Sequence, residues 1–211
     1  MSEQKNPSAA GSQPSGNPSG TDVLPVTYVP DARVTPSLDR ALISLLSACF
    51  TKPGDEVFRE RRYFHELPQH RFLIPTNPGA SLDDVALAAH LAIHDRAVST
   101  TVGVLSCGGI AEVAVSPEYR RQGLVRRLLD EAHTWLSQQR YEFAILFGDP
   151  GVYGSKGYRA AQNPVYYRDA ETGVCRCRQF GTSPESEAFM YRSISGSVWP
   201  SGPIDLQGYK F

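Results

Sequence analysis

The stretch Ala111–Leu129 reads AEVAVSPEYRRQGLVRRLL and contains the transition on which the fold depends. Its first residues are mostly small and apolar, which is typical of a buried strand ending at Val115. A polar, basic loop follows over residues 117–123. An amphipathic helix is then predicted over Leu124–Gln139, because its leucines fall on one stripe at helical spacing. A strand, a loop and a helix are therefore expected in immediate succession.

The sequence on either side extends this pattern. Val85–Val98 predicts a long strand that turns at residues 99–103 and returns as the strand Val104–Val115. Another apolar strand, Glu142–Phe147, follows the helix, so Ala111–Phe147 has the order of a βαβ unit in a mixed α/β domain. The earlier elements are predicted as a strand at Val23–Val29, a helix with Thr35 as N-cap, a short helix at Asp55–Arg62 and a strand at Arg71–Ile74.

Bulk properties limit the class of protein. The 211 residues are 41% hydrophobic and 20% charged with a formal net charge of −1, which is typical of one soluble domain without general attraction to nucleic acid or membrane. Residues 1–22 are polar and predict a disordered tail, which leaves residues 23–211 as the domain. The first residues lack the pattern of a secretory signal, and we expect a cytoplasmic protein.

The four cysteines do not form a CxxC pair. They are predicted to be free thiols, buried or half-buried, in a reducing cytosol. A metal site would need Cys and His clustered at ligand spacing, and the sequence has no such cluster. We therefore expect no metal.

The basic loop has the features of an anion site. A helix N-terminus offers unpaired amides and a partial positive charge, and Gly123 permits close approach to the backbone. Arg120 and Arg121 add two full charges, so the loop could hold a pyrophosphate. On these features alone a solvated turn is equally admissible. The phosphate-binding patterns GxxxxGK[ST] and GxGxxG are both absent.

Two segments resemble GNAT acetyltransferases. The residues Val113–Val125 resemble the Q/R-x-x-G-x-G/A signature of that family, with Arg120 in its first position and Gly123 as its first glycine. Val125 stands where the family usually has Gly or Ala. Further on, Gly151–Tyr158 (GVYGSKGY) resembles the family's Y-x-x-x-G-F/Y segment.

The resemblance implies a fold and a co-substrate. The expected fold is a mixed, mostly antiparallel sheet whose central parallel strands splay apart, flanked by helices. The expected co-substrate is acetyl-CoA, with its pantetheine arm between the splayed strands, and homodimers are common in the family. The cofactor-binding residues implied are Val113, Ala114 and Val115 for pantetheine and Arg120, Arg121, Gln122, Gly123, Leu124 and Val125 for pyrophosphate.

Tyr153 takes the position of the family's catalytic acid. A thiol has a pKa near 8.5 and a tyrosine one near 10, so proton transfer to the departing thiolate would cost about 2 kcal/mol. A structural tyrosine with a bonded hydroxyl is the alternative. Tyr158 takes the aromatic packing position of the same segment.

Glu112 is the candidate base. Apolar neighbours would desolvate its carboxylate and raise its pKa, which suits it to take a proton from the acceptor amine directly or through water. A substrate anchor or a structural hydrogen-bonding role is the alternative. His94, on the same strand face as His90, and Phe211 are further candidates for substrate binding. Structural roles for the two histidines and edge packing of the aromatic C-terminal end are the alternatives. The remaining histidines, His65, His70 and His133, are predicted to lie at the surface.

The acceptor is predicted to be the primary amine of a small molecule. The layout resembles aminoglycoside 2′-N-acetyltransferases, since Glu112, Leu124-Val125 and Phe211 stand in comparable places. That resemblance implies an aminoglycoside, amino sugar or polyamine-like acceptor, and with it antibiotic resistance. Protein or peptide amines, a longer acyl donor, and a non-catalytic CoA-binding module remain as alternatives.

Overall fold

The computed structural model of the protein describes residues 24–77, 79, 81, 85–182 and 187–211. The predicted tail, residues 1–22, lies outside the described residues. The described strands form one ten-stranded mixed sheet with helices packed against it, which confirms the predicted mixed α/β class.

The strands follow the sequence closely where it is strongly apolar. The strand predicted at Val23–Val29 begins only at Thr27 and continues to Pro30, while Val23 lies outside the described residues. The strands are β1 Thr27–Pro30, β2 His70–Pro75, β3 Leu87–Thr100, β4 Gly103–Val115, β5 Phe143–Gly148, β6 Arg159–Ala160, β7 Val165–Arg168, β8 Cys175–Arg178, β9 Ala188–Ser193 and β10 Ile204–Tyr209.

The helices are fewer than the strands. The α-helices are α1 Pro36–Cys49, α2 Leu124–Gln138 and α3 Pro150–Tyr153, and 3-10 turns occupy Asp31–Arg33, Asp55–Arg59, Pro117–Tyr119 and Gly154–Lys156. The short helix predicted to end at Arg62 is therefore a 3-10 turn that ends at Arg59. In the described part of the chain, none of the helices combines the length and hydrophobicity that crossing a bilayer requires.

Helix α1 begins as the sequence predicts. The Thr35 side chain accepts a hydrogen bond from the Leu38 amide at 3.3 Å, and Pro36 occupies the first turn, where no amide donor is needed. The helix buries Leu38 and Leu42 completely in a core that also contains Ala114 of β4. Helix α1 is thereby packed against β4, and Cys49 at its C-terminal end donates to the Val115 carbonyl at 3.3 Å.

The sheet order is β6-β9-β5-β4-β3-β10-β7-β8, with β2 also paired to β3 and β1 paired to β2. Strands β3 and β4 form a long antiparallel hairpin, and β4 runs parallel to β5 with α2 as the connection. This order confirms the predicted βαβ unit. The parallel pairing of β10 with β7 was not predicted from the sequence.

Strands β4 and β5 separate halfway along. Their pairing runs from Cys107 with Phe143 to Ile110 with Leu146 and then ends, although β4 continues to Val115. At the same level the β3–β4 register shifts, a bulge that gives β4 one extra residue. The backbone of Glu112 takes a positive φ of 52° there. A notch therefore opens between the ends of the two central strands.

Two adjacent glycines in β4 let other elements approach this part of the sheet. A Cβ on Gly108 would lie 2.4 Å from Leu136 of α2, and one on Gly109 would lie 2.7 Å from the Phe211 ring. Because such distances are shorter than van der Waals contact, any larger residue would push α2 or Phe211 outward. The glycine pair thus sets how closely α2 covers one face and Phe211 the other.

Two predictions about exposure to solvent are wrong, one for His133 and one for a pair of cysteines. His133 is 7% exposed, because α2 turns it inward to a hydrogen bond with the Tyr158 hydroxyl at 2.8 Å. Cys175 and Cys177 are exposed, because β8 lies at the edge of the sheet, whereas Cys107 is buried and Cys49 half-buried. All four cysteines are free thiols, as predicted.

Candidate active site

A cavity of about 470 Å³ lies in front of the basic loop. Gly123 is the N-cap of α2, with φ at +75° and open space where a side chain would be. Having no side chain, it leaves the first amides of the helix uncapped, and these are the groups that bind anions at a helix N-terminus. Arg121 shares the left-handed conformation with φ at 64°, and Arg120 also lines the cavity.

The other residues expected to bind CoA lie around the same cavity, with Val113, Ala114, Val115, Leu124 and Val125 in its wall. Gln122 is exposed, and its side chain contacts the carbonyl of Glu118 within the loop at 3.4 Å instead of lining the cavity. Sequence reasoning missed Cys49 and Phe50, which reach this wall from the end of α1.

Part of the β4 main chain beyond the bulge is directed toward the notch. The amide of Ser116 donates to the carbonyl of Ala88 on β3, at 2.9 Å. Since neighbouring residues of a strand direct their main-chain groups to opposite sides, Val113 and Val115 direct theirs away from β3. The Val115 carbonyl accepts from Cys49 Sγ at 3.3 Å and from Arg120 Nε at 3.4 Å. These two side chains therefore cap the end of the strand.

A second cavity, of about 460 Å³, meets the first at the end of β4. The two share Cys49, Phe50 and Val113 in their walls. The second cavity combines aromatic rings with carboxylates, a composition suited to an organic cation. Its other lining residues include Asp55, Phe58, Phe64, Glu112, Phe147, Tyr153, Glu187, Lys210 and Phe211.

Tyr153, at the end of α3, contributes its side chain to this second cavity. Burial, with a smaller contribution from the charge of Glu187, raises the pKa of Tyr153 to about 12. The hydroxyl therefore holds its proton throughout the neutral range. The pKa of Tyr153 is therefore about 3.5 units above that of an ordinary thiol, which corresponds to about 5 kcal/mol. This is more than the roughly 2 kcal/mol expected from an ordinary tyrosine. Transfer would have to accompany cleavage of the bond to sulfur rather than precede it.

Glu112 lies opposite, in the bulge of β4. Its carboxylate is 4% exposed, accepts a hydrogen bond from the Phe64 amide at 3.0 Å and lies 3.4 Å from Arg71 Nη1. Burial raises the pKa of Glu112 to about 7, against the opposing effect of the Arg71 charge. A carboxylate with such a pKa is half ionised near neutrality and can take a proton there. The sequence predicted that desolvation would raise the pKa of Glu112, but it did not indicate that Arg71 would lie beside the carboxylate.

His94 and Phe211 lie together, but only one of them reaches the cavity. The Phe211 ring lines it, packs against Phe147 at 5.6 Å and stands 5.6 Å from the His94 ring. His94 is 3% exposed and is not part of the cavity wall, and burial lowers its pKa to about 3. It therefore supports Phe211 from behind as a neutral ring.

An ammonium group of the chain itself already lies at the edge of the second cavity. The Lys210 Nζ pairs with Glu187 and lies 5.0 Å from the centre of the Phe147 ring. This arrangement of a carboxylate and an aromatic face is the one that binds organic cations in proteins. In the described part of the chain, no three His, Cys, Asp or Glu side chains gather as a metal site would require.

The central parallel strands that separate halfway along are the arrangement that the resemblance to GNAT acetyltransferases implied. A comparison with family models finds an acetyltransferase (GNAT) domain over residues 33–161, more than half of the chain. The chain belongs to the GNAT acetyltransferase family, as its sequence resemblance implied.

Solved structures support the fold at low sequence identity. The GNAT family N-acetyltransferase YhbS of Escherichia coli, in complex with CoA, matches with a TM-score of 0.59 at 18% identity over 87% of this chain and 91% of that one. An acyl-CoA N-acyltransferase of Pseudomonas aeruginosa matches with a TM-score of 0.54 at 18% identity over 81% of this chain and 99% of that one.

Curated relatives match a shorter part of the chain. The N-acetyltransferase Eis of Mycobacterium bovis is 34% identical over 102 residues, which are 43% of this chain and 24% of that protein. Eis of Mycobacterium tuberculosis is 33% identical over 104 residues, with the same coverage of 43% and 24%. The matched region thus spans about a quarter of these relatives.

Proposed function

We propose that the protein transfers an acetyl group from acetyl-CoA to the primary amine of a small cationic molecule, such as an aminoglycoside, another amino sugar or a polyamine-like compound. The observation that carries this proposal is the meeting of two cavities at Val113. One cavity has the charge of an anion site, and the other has aromatic and acidic walls. Acetyl-CoA would supply the activated acetyl group at their junction.

The chain's own groups suit the first cavity to a CoA diphosphate. The uncapped amides after Gly123 and the charges of Arg120 and Arg121 favour phosphate oxygens. The main-chain groups of Val113, directed away from β3, would offer hydrogen bonds to a pantetheine amide along the notch. Val125 stands where the family usually has a smaller residue. Its amide could still donate to the diphosphate, although its side chain leaves the diphosphate less room to approach the backbone.

The second cavity suits a small amine. A volume of about 460 Å³ is within the range of sites that bind drug-sized ligands. The carboxylates of Asp55, Glu112 and Glu187 attract an ammonium, and the Phe147 ring adds a cation–π face. A multiply charged amine would compete with Lys210 for Glu187.

The reaction needs a base, an oxyanion donor and an acid. Glu112 would accept a proton from the bound ammonium, directly or through a water molecule, which leaves the nitrogen lone pair free to attack the thioester carbon. A β4 amide near Val115 or Val113 would donate to the carbonyl oxygen as its charge develops. Tyr153 would give its proton to the sulfur as the carbon–sulfur bond breaks. Holding both substrates at the junction could lower the barrier by about 7–11 kcal/mol.

The proposal is tested with a panel of amines and acetyl-CoA, with the free thiol as readout. We expect CoA release with aminoglycosides, amino sugars or polyamines, and a mass gain of one acetyl group on the amine. Release with peptides alone would move the assignment to protein or peptide acetylation. Tight CoA binding without release for any amine would identify a non-catalytic CoA-binding module.

A further inference from the structure

The Arg71 side chain on β2 is completely buried and contacts three side chains, while its Nη2 donates to the main-chain carbonyl of Arg62 at 3.2 Å. Its Nε donates to Asp31 Oδ1 at 2.6 Å, and its Nη1 contacts His90 Nε2 at 3.0 Å and Glu112 Oε2 at 3.4 Å. A buried guanidinium has a large desolvation cost, so its partners must be well placed. The sequence stretch RFLI gave no sign that its arginine would point inward.

These contacts define the tautomer of His90. An arginine side chain can only donate hydrogen bonds, so His90 Nε2 must be the acceptor of the bond from Arg71. The proton of the neutral ring then resides on Nδ1, which donates to the main-chain carbonyl of Glu112 at 2.9 Å. Complete burial and the adjacent Arg71 charge lower the pKa of His90 well below its usual value, which keeps the ring neutral.

Glu112 is consequently held at two places. Its carbonyl is fixed by His90, and its carboxylate is fixed by Arg71 and by the Phe64 amide. It also has a positive φ of 52°, a conformation that a residue with a side chain adopts only when its surroundings enforce it. The bulge and the direction of the carboxylate are therefore determined by the same buried network.

Asp31 holds the Arg71 guanidinium through its Nε atom. Asp31 bonds both Arg71 and Arg62, and Arg62 also pairs with Asp39 of α1 at 2.7 Å. The carboxylate of Asp31 balances the guanidinium of Arg71 and fixes its orientation. One guanidinium nitrogen, Nη1, is thereby directed at both His90 and Glu112.

We propose that Arg71 and His90 are positioning residues, which hold Glu112 in the bulge so that its carboxylate faces the acceptor cavity. This inference rests on the proposed role of Glu112 as the base. Neither residue needs to touch a substrate, since Arg71 acts through the carboxylate and His90 acts through the carbonyl.

The charges around Glu112 determine its pKa, so changes to Arg71 should alter the pH dependence of catalysis. Arg71 on β2 lowers the pKa of Glu112, while Asp31 behind it acts in the opposite direction, and His90 on β3 is neutral. The Phe64 amide also lowers the pKa. The charged and titratable groups on the cavity side are Cys49, Lys52, Asp55, Tyr153, Glu187 and Lys210. Loss of the Arg71 charge alone should therefore raise the pKa of Glu112 further.

The first test compares Arg71→Met with Arg71→Lys by the pH dependence of kcat/KM for the amine. The acidic limb is the part of the profile in which kcat/KM rises with pH as Glu112 loses its proton. In Arg71→Met we expect the midpoint of this limb to move up by about one pH unit or more, because an opposite charge has been removed. Arg71→Lys keeps the charge but not the fork of donors, so its limb should lie between those of wild type and Arg71→Met. Arg40→Met is the matched control, since Arg40 is exposed and bonds only Ser37 within the described residues.

The second test compares His90→Gln with His90→Leu. Glutamine can accept from Arg71 and donate to the Glu112 carbonyl, whereas leucine can do neither. We expect kcat to fall about tenfold or more in His90→Leu and to recover in part in His90→Gln. The acidic limb should keep its midpoint in His90→Gln, because a neutral side chain replaces a neutral ring.

Glu112→Gln separates the failure of this inference from failure of the proposed function. If Glu112→Gln removes the acidic limb but Arg71→Met leaves it in place, Arg71 does not position Glu112 although Glu112 remains the base. If Glu112→Gln keeps both activity and limb, the proposed role of Glu112 fails first. If circular dichroism shows that Arg71→Met does not fold, Arg71→Lys and the two His90 variants are used instead. An acidic limb in Arg71→Lys with the wild-type midpoint, together with equal kcat values in His90→Gln, His90→Leu and wild type, would overturn the inference.

Discussion

The Tyr153 ring packs directly over the backbone of Gly148, so that a Cβ on Gly148 would lie 2.7 Å from Cε2 of the ring. The glycine at the end of β5 and the tyrosine at the end of α3 therefore determine each other's position. In the described part of the chain the Tyr153 hydroxyl makes no hydrogen bond. Its ring is held by packing while its proton is available to a ligand in the cavity.

Replacing Tyr153 with phenylalanine removes that proton and little else. If Tyr153 is the acid, kcat should fall about 100-fold or more, with a small change in the KM for acetyl-CoA. Tyr158→Phe is the matched control, because its hydroxyl bonds His133 away from the cavity. That variant should keep its turnover and lose about 1 kcal/mol of stability. Equal turnover in wild type and Tyr153→Phe would remove Tyr153 from the mechanism.

The contact between Gly109 and Phe211 offers a test of the acceptor cavity. In Gly109→Ala the new methyl group would lie 2.7 Å from the Phe211 ring, which must move. We expect the KM for the amine to rise several-fold while the KM for acetyl-CoA stays the same. Ser106→Ala, at an exposed position of the same strand, is the control. An unchanged KM for the amine would show that the Phe211 ring does not contact the acceptor.

The pKa of Glu112, raised to about 7 by burial, predicts a pH dependence of catalysis. A base must be deprotonated to act, so kcat/KM should increase with pH through about 7 and then level off. Glu112→Gln should remove this limb and reduce kcat about 100-fold. A profile that is flat between pH 6 and 8 in wild type would contradict the assignment of Glu112 as base.

His133 predicts a pH dependence of stability. Burial lowers its pKa to about 4, below the ordinary value of 6.5, so its contribution is complete above pH 6.5 and is lost as the pH falls toward 4. Between pH 7 and pH 5 this amounts to roughly 2 kcal/mol. The raised pKa of Glu112 acts in the opposite direction over this interval, so the test compares His133→Gln with wild type.

In urea unfolding, the stability of His133→Gln should depend less on pH than that of wild type, by about 2 kcal/mol between pH 7 and pH 5. The difference between the two proteins cancels the contribution of Glu112, since that residue is present in both. Parallel curves would mean that His133 has the same pKa in the folded and unfolded states, as a solvated side chain would.

The sequence predicted the elements that local patterns encode. The stripe of leucines in α2, the cap at Thr35 and the apolar runs of β3, β4 and β5 each depend on residues close in sequence, and all are present in the structure. The proposed anion site also depends on residues close in sequence, because Arg120, Arg121 and Gly123 immediately precede α2.

Features made by distant partners were not visible in this way. Arg71 is buried because of Asp31 and Glu112, which lie 40 and 41 positions away. His133 is buried because the fold brings Tyr158 to it from 25 positions away. The exposure of Cys175 and Cys177 follows from the place of β8 at the sheet edge, which depends on the whole order of strands.

The central claim is that the turn around Gly123 and the notch of β4 bind the coenzyme, and isothermal titration with CoA tests it most directly. We expect saturable binding at one site per chain in wild type, and clearly weaker binding in Gly123→Val, whose φ of +75° is unfavourable for valine. Gly173→Val is the matched control, with a φ of +68° in the β7–β8 turn, and it should bind as wild type does. A folded wild-type protein that gives no heat with CoA or acetyl-CoA at several temperatures would contradict the account.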